Sequence, residues 1–182
     1  QIENELDLPV YATIPRSLIQ ESRINLLKKK KNIPILAVKD SSDIAIESLR
    51  SMRTAIHFAL MNANNNVIAI SGPAPEIGKS FITTNLATIL AQGGKRVLVI
   101  DGDMRRGYLH KYFNAEVQPG LAELLNRQNT YKDIVQSSTV DNLFFITRGK
   151  SPVNPSELLS TDQFKAFLDQ ASTSFDHILI DT

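Results

Sequence analysis

Four apolar runs of strand length constrain this chain more than anything else in it: Val67-Ile68-Ala69-Ile70, Val97-Leu98-Val99-Ile100, Leu143-Phe144-Phe145-Ile146 and His177-Ile178-Leu179-Ile180. None alternates polar with apolar residues, so each strand must be covered on both faces. Helical stretches separate them, among others at about 120–126 and 161–173. The pattern predicts an α/β fold, a doubly wound and mainly parallel sheet with helices on both faces.

A length of 182 residues with 42% apolar side chains is enough for one domain with a real core. The net charge of +1 carries no footprint of a nucleic-acid binder, so no nucleic-acid partner is expected. With no cysteine, disulfides, thiolate chemistry and sulfur-ligated metals are excluded. The three histidines, His57, His110 and His177, are too scattered to suggest a metal cluster. No apolar run reaches the roughly 20 residues of a membrane-spanning helix. The chain opens at Gln1 and stops at Asp181-Thr182, directly after a strand that reads as buried, which suggests a part of something longer.

Residues 1–40 hold short apolar pieces, Leu8-Pro9-Val10-Tyr11-Ala12 and Ile33-Pro34-Ile35-Leu36-Ala37-Val38, around the basic run Lys28-Lys29-Lys30-Lys31. They read as an extended, partly surface-bound approach to the domain proper at 41–182. The basic run reads first as a solvated patch, and beside a membrane anchor it could also touch anionic lipid. From Ser41 a helical period takes over through Ala45, Leu49, Met52, Ile56 and Ala59, predicting a helix from about 43 to 62 capped by Ser42 or Asp43. A second helix after the first strand would bury Ile82, Leu86 and Ile89 or Leu90 and close at Gly93-Gly94.

The first strand runs into Ser71-Gly72-Pro73-Ala74-Pro75-Glu76-Ile77-Gly78-Lys79-Ser80 and then that helix. Strand, loop and helix in this order are the setting of a phosphate loop. Gly78 would let backbone N–H groups approach phosphate oxygens, Lys79 would reach the β and γ phosphates, and Ser80 would hold Mg²⁺. The strict pattern asks for glycine at position 73, where this chain has Pro73 and places Gly72 one residue early. A plain glycine turn before a helix that happens to carry Lys and Ser is the competing reading of the loop alone.

Two further strands end in acids: Asp101, with Asp103 two residues on, and Asp181. A single strand-end acid is commonly a turn or capping residue. Three of them at the carboxyl edge, where open α/β sheets bind ligands, point to the magnesium shell and reacting groups of a bound nucleotide.

These residues resemble the bacterial tyrosine kinases (BY-kinases) of the Wzc and Etk kind, and the resemblance spans nearly the whole chain. The loop with Pro75 three places before Gly78 is similar to the family's variant Walker A, and Val97 to Arg105 is similar to its second motif, hydrophobic-Asp-x-Asp-x-Arg. Ile178-Leu179-Ile180-Asp181-Thr182 is similar to its Walker B, and Asn154-Pro155-Ser156-Glu157-Leu158-Leu159 and the stretch from Leu8 to Pro15 continue the likeness.

The resemblance implies a P-loop NTPase-like fold and an ATP- and Mg²⁺-dependent protein-tyrosine autokinase. Pro75, Glu76, Ile77, Gly78, Lys79, Ser80 and Phe81 would bind ATP, and Ser80, Asp103 and Asp181 would hold the metal. Lys79, Asp101, Asp103 and Arg105 would serve catalysis, with Asp101 taking the substrate tyrosine's proton; the division of roles between Asp101 and Asp103 stays a hypothesis. Tyr108 resembles the internal regulatory tyrosine of Gram-negative members, with Arg148 as the partner of its phosphate, although an ordinary half-buried aromatic fits the residue too. Glu47, Arg50 and Arg53 form E-x-x-R-x-x-R, which in the family builds a homo-oligomeric ring, an octamer; a solvated helix face fits the same spacing.

By the same resemblance the partners are the tyrosine-rich tail of neighbouring subunits, a cognate tyrosine phosphatase and the polysaccharide export machinery, and the setting is the cytoplasmic domain of an inner-membrane protein. Two other readings compete. A deviant-Walker partition or division ATPase would share the fold, but it carries a signature lysine four residues before the loop's final glycine, where this chain has Ala74. A nucleotide-gated assembly module without turnover would share the motifs themselves.

Overall fold

The structure, a computed structural model, describes residues 9–20, 32–61 and 63–182. Leu8 and the basic run at 28–31 lie outside the described residues. In chain order the elements are α1 (Leu36–Lys39), α2 (Ile44–Met61), β1 (Val67–Ile70), α3 (Lys79–Gln92), β2 (Val97–Asp101), α4 (His110–Phe113), α5 (Leu121–Leu125), α6 (Tyr131–Ile134), β3 (Gln136–Ser137), β4 (Leu143–Ile146), α7 (Pro155–Leu159), α8 (Asp162–Ser172) and β5 (His177–Asp181). The five strands form one sheet in the order β1-β5-β2-β4-β3. Pairing is parallel except at β3, which runs antiparallel to β4 with Gln136 opposite Phe145.

The missing alternation has its expected consequence. Val97 to Ile100 in β2 are fully buried, each contributing ~1.5–3 kcal/mol by removal from water. Odd positions Val97 and Val99, with Phe145 and Leu179, meet Leu86 and Leu90 of α3 and Ile46 and Leu49 of α2 on one face. Even positions Leu98 and Ile100, with Ile146, Ile178 and Ile180, meet Leu121, Phe167 and Ala171 on the other. The sheet is therefore wound on both sides, as its composition requires.

Three local outcomes refine the sequence reading. Asp43, rather than Ser42, caps α2: its Oδ1 accepts from the Ala45 amide at 2.8 Å, and its Oδ2 accepts from the Ser17 hydroxyl at 2.6 Å. The end of α3 is a Schellman closure, with Gly94 at φ 84°, its amide bonded to the Ala91 carbonyl at 2.9 Å and the Lys95 amide to Leu90 at 3.2 Å. Around residue 36, however, the approach to the domain is neither extended nor superficial. Leu36 and Ala37 are buried in α1, and the Ala37 amide donates to Asn85 Oδ1 of α3 at 2.8 Å. A run as apolar as Ile35-Leu36-Ala37 gains more from the core than from the surface.

Candidate functional site

Parallel strands in register bring three chain ends to one edge. Asp181 of β5 lies opposite Ile70 of β1 on one side and opposite Asp101 of β2 on the other. The phosphate loop that follows Ile70, the acid of β5 and the acid of β2 thus stand side by side. The Gly102 amide donates to the Asp181 carbonyl at 2.8 Å, and a Cβ on Gly102 would lie 2.9 Å from that oxygen. Only glycine allows the chain to leave β2 this close to β5.

The loop from Ser71 to Ile77 is exposed. Gly78 takes φ 99° and heads α3, whose first turn receives no side-chain cap, so its N–H groups are offered to a ligand. Gly72 stands one place early by the strict pattern, and an added Cβ would meet the tip of the half-exposed Ile77 side chain, which can turn aside. Lys79 Nζ donates to the Ala74 carbonyl at 3.2 Å within its own loop. Phe81 packs its ring against the core, so its contribution to a phosphate would come from its backbone.

Ser80 is buried, and the Thr83 hydroxyl donates to Asp181 Oδ1 at 3.2 Å. Burial raises the Asp181 carboxyl above its ordinary range, while the Ser80 and Thr83 hydroxyls and the Lys79 charge oppose that rise. Free N–H groups at a helix start, a lysine, a buried serine and a strand-end carboxylate fit a nucleoside triphosphate with its divalent cation.

Across Asp181 the geometry is different. Asp101 has no exposed surface; its Oδ2 accepts from the Leu109 amide at 3.1 Å, and its Oδ1 has no hydrogen-bond partner. Burial is the main reason its carboxyl is pushed up to about 8; the Leu109 amide bond opposes this, Asp181 and Asp103 add to it, and Arg148 opposes it. The cover is the loop 102–109, which returns so closely that a Cβ on Gly107 would lie 2.0 Å from Asp101 Oδ1. Asp103 sits at the start of this loop and accepts from the Arg105 and Arg106 amides at 3.2 and 2.9 Å. Arg105 itself is exposed.

Tyr108 is half-buried in the same loop and stacks on Tyr112 at 6.2 Å between ring centroids. Arg148 reaches the residue before it, its Nε donating to the Gly107 carbonyl at 2.9 Å. Tyr108 and Arg148 are thus neighbours, 40 positions apart in sequence. On α2, Glu47 and Arg50 pair with each other, and Arg50 also donates to the Ser41 carbonyl at 2.8 Å. Arg53 instead lines a groove of about 300 Å³ with His57, Lys95 and His177 at the opposite, amino edge of the sheet.

Sequence reasoning did not single out Thr83, Gly107 or Glu123. Thr83 could have been found from its place one turn beyond Lys79 on the helix that faces Asp181. Nothing local marks Gly107 or Glu123.

The chain matches the AAA domain family model over residues 65–182. All of it superposes on the BceF tyrosine kinase domain with a TM-score of 0.94 and 46% identity, covering 74% of that chain. The chain belongs to the bacterial protein-tyrosine kinase family. A second BY-kinase structure, the kinase domain of Escherichia coli tyrosine kinase ETK, is 39% identical with a TM-score of 0.91 over all of this chain and 72% of that one. The tyrosine-protein kinase ptk of Acinetobacter johnsonii is 72% identical across the whole chain, which spans 25% of that protein's length. The BY-kinase match covers both the phosphate loop and the covered acid of β2.

Proposed function

We propose that this BY-kinase domain transfers the γ-phosphoryl group of ATP to tyrosines of neighbouring subunits. The observation that carries the reading is Asp181 in register between the end of the phosphate-loop strand and Asp101, which puts the loop and two carboxylates side by side. ATP with Mg²⁺ supplies the transferable phosphoryl group and neutralises its charge. Lys79 and the first amides of α3 hold the phosphates; Ser80, Asp103 and Asp181 hold the cation's shell. Asp101 orients the tyrosine phenol and takes its proton once the loop 102–109 has lifted from it. Arg105, at the rim, steers the acceptor.

In the whole protein, Glu47, Arg50 and Arg53 build a ring of subunits, an octamer, whose tyrosine-rich tails are the acceptors. Phosphate on Tyr108 moves that residue onto Arg148 and keeps the site open. A tyrosine phosphatase reverses the reaction, and the cycle governs assembly and export of capsular or extracellular polysaccharide from the cytoplasmic side of an inner membrane.

The test is incubation of the full-length protein with Mg²⁺ and ATP labelled on its γ-phosphate, beside Lys79→Ala. Labelled tyrosine that vanishes in the variant supports the kinase. Free phosphate without labelled tyrosine would favour a partition-type ATPase, and nucleotide binding with neither product an assembly module.

A further inference from the structure

Glu123 is a buried acid that the proposed chemistry does not use. It is 8% exposed, and both its oxygens are engaged by backbone. Oε2 accepts from the Gly120 amide at 2.7 Å, so the side chain reaches back to the N-cap backbone at the head of α5, where Gly120 has no side chain to reciprocate. Capping needs no more than that. Oε1 accepts in addition from the Lys150 amide at 3.0 Å, 27 residues away.

Around this second bond the loop 147–151 is tightly placed. Gly149 takes φ 80°, and a Cβ there would lie 2.2 Å from Glu123 Oε2. The Leu121 and Ala122 amides hold the Thr147 and Arg148 carbonyls at 2.8 and 3.0 Å. From the loop so fixed, two side chains reach across to the cover of Asp101. Arg148 Nε donates to the Gly107 carbonyl at 2.9 Å, and the Ser151 hydroxyl donates to the Met104 carbonyl at 3.0 Å.

We infer that Glu123 is a positioning residue: its carboxylate fixes the 147–151 loop, and through Arg148 and Ser151 that loop straps 102–109 shut over Asp101. Arg148 therefore has a task before any phosphate arrives. It holds the closed state, and a phosphate on Tyr108 must compete with the Gly107 carbonyl for the same guanidinium. The activity arm of the test rests on the kinase reading; the exchange arm does not.

The experiment is amide hydrogen exchange on the intact, dephosphorylated protein and two variants. Glu123→Gln keeps an oxygen for the Gly120 amide and turns an NH₂ group toward the Lys150 amide. Ser151→Ala removes one fastener without touching the core. Exchange at the Leu109 amide, which is bonded to Asp101, should quicken by roughly 10-fold in Glu123→Gln and several-fold in Ser151→Ala, with Val99 and Ile100 of β2 unchanged. Unchanged Leu109 exchange in both variants would overturn the strap, as would equal quickening throughout β2 and α3.

The second readout is the ratio of initial tyrosine-phosphorylation rates between Tyr108-phosphorylated and unmodified enzyme. A strap predicts that this ratio falls toward one in Glu123→Gln, whereas simple loss of structure lowers both rates together and leaves the ratio standing, which would overturn it. Absence of transfer in the parent protein would defeat the kinase reading, and exchange alone would then decide the strap.

Discussion

The two loops that flank Asp181 are held in opposite ways. On the β1 side the phosphate loop is exposed from Ser71 to Ile77, and its lysine is tied to a carbonyl of the same loop. On the β2 side the loop 102–109 is fastened by Arg148 and Ser151 and roofs a carboxylate with no exposed surface. A triphosphate can settle on the first loop without disturbing the core. A phenol reaches Asp101 only after the second loop lifts. Nucleotide binding and chemistry should therefore be separable by mutation.

The open half should break most completely. Lys79→Ala is expected to reduce γ-phosphoryl transfer by at least ~10³-fold. The melting temperature should scarcely move, because the ammonium bonds a carbonyl of its own exposed loop. Transfer near the parent rate would end the assignment of this loop.

Asp101→Asn probes the closed half, and transfer should fall by ~10²–10⁴-fold with nucleotide affinity kept within a few-fold. Full transfer rates would remove Asp101 as the base. The same variant carries a pH signature. Burial raises this carboxyl from 3.8 to about 8, so over that window the folded state holds a proton that the unfolded chain has released. Stability from this group is thus greatest at the acid end and falls as pH rises through the window, by up to ~1.4 kcal/mol per pH unit. Asp101→Asn should flatten that part of a denaturation-midpoint profile; matching slopes would assign the dependence to other groups.

Gly107→Ala sharpens the contrast without touching a charge. Its methyl would lie 2.0 Å from Asp101 Oδ1, so the roof must rise. The expected destabilisation is ~1–3 kcal/mol in thermal unfolding, with nucleotide affinity unaffected. An unchanged midpoint would mean that the loop closes loosely. Alanine at Glu47, Arg50 and Arg53 together should cost little stability, about a few tenths of a kcal/mol for the Glu47–Arg50 pair. Sedimentation should nevertheless show monomers in place of rings, and surviving rings would reduce the motif to a solvated helix face.

The phosphate loop and the acids of both halves could be picked out in the sequence, but the way Asp101 is covered could not, for a physical reason. The phosphate loop and the strand-end acids are set by residues next to one another in the chain, and continuous apolar runs announce buried strands. The cover of Asp101 depends on Gly107, Arg148, Ser151 and Glu123, which meet only through the sheet order. Glu123 shows its second role only where the Lys150 amide, 27 residues on, meets its carboxylate. The edge strand β3 was likewise invisible, because Gln136-Ser137 is too short and too polar to carry a period. The burial of Leu36 and Ala37 was missed because a short apolar run before the first long helix gives no sign of which surface it will cover.

The sheet order also sets a timetable. Among the described residues β1, which carries the phosphate loop, pairs with β5, and β5 enters between β1 and β2 although it follows both by many residues. Until the ribosome has delivered residues 177–181, β1 has no neighbour among the described strands, and β5 does not yet hold the loop and the acid of β2 in register. Such distant pairing is slow to form. A nascent chain would thus bring its phosphate loop and its second acid into register in one step, when β5 enters between them.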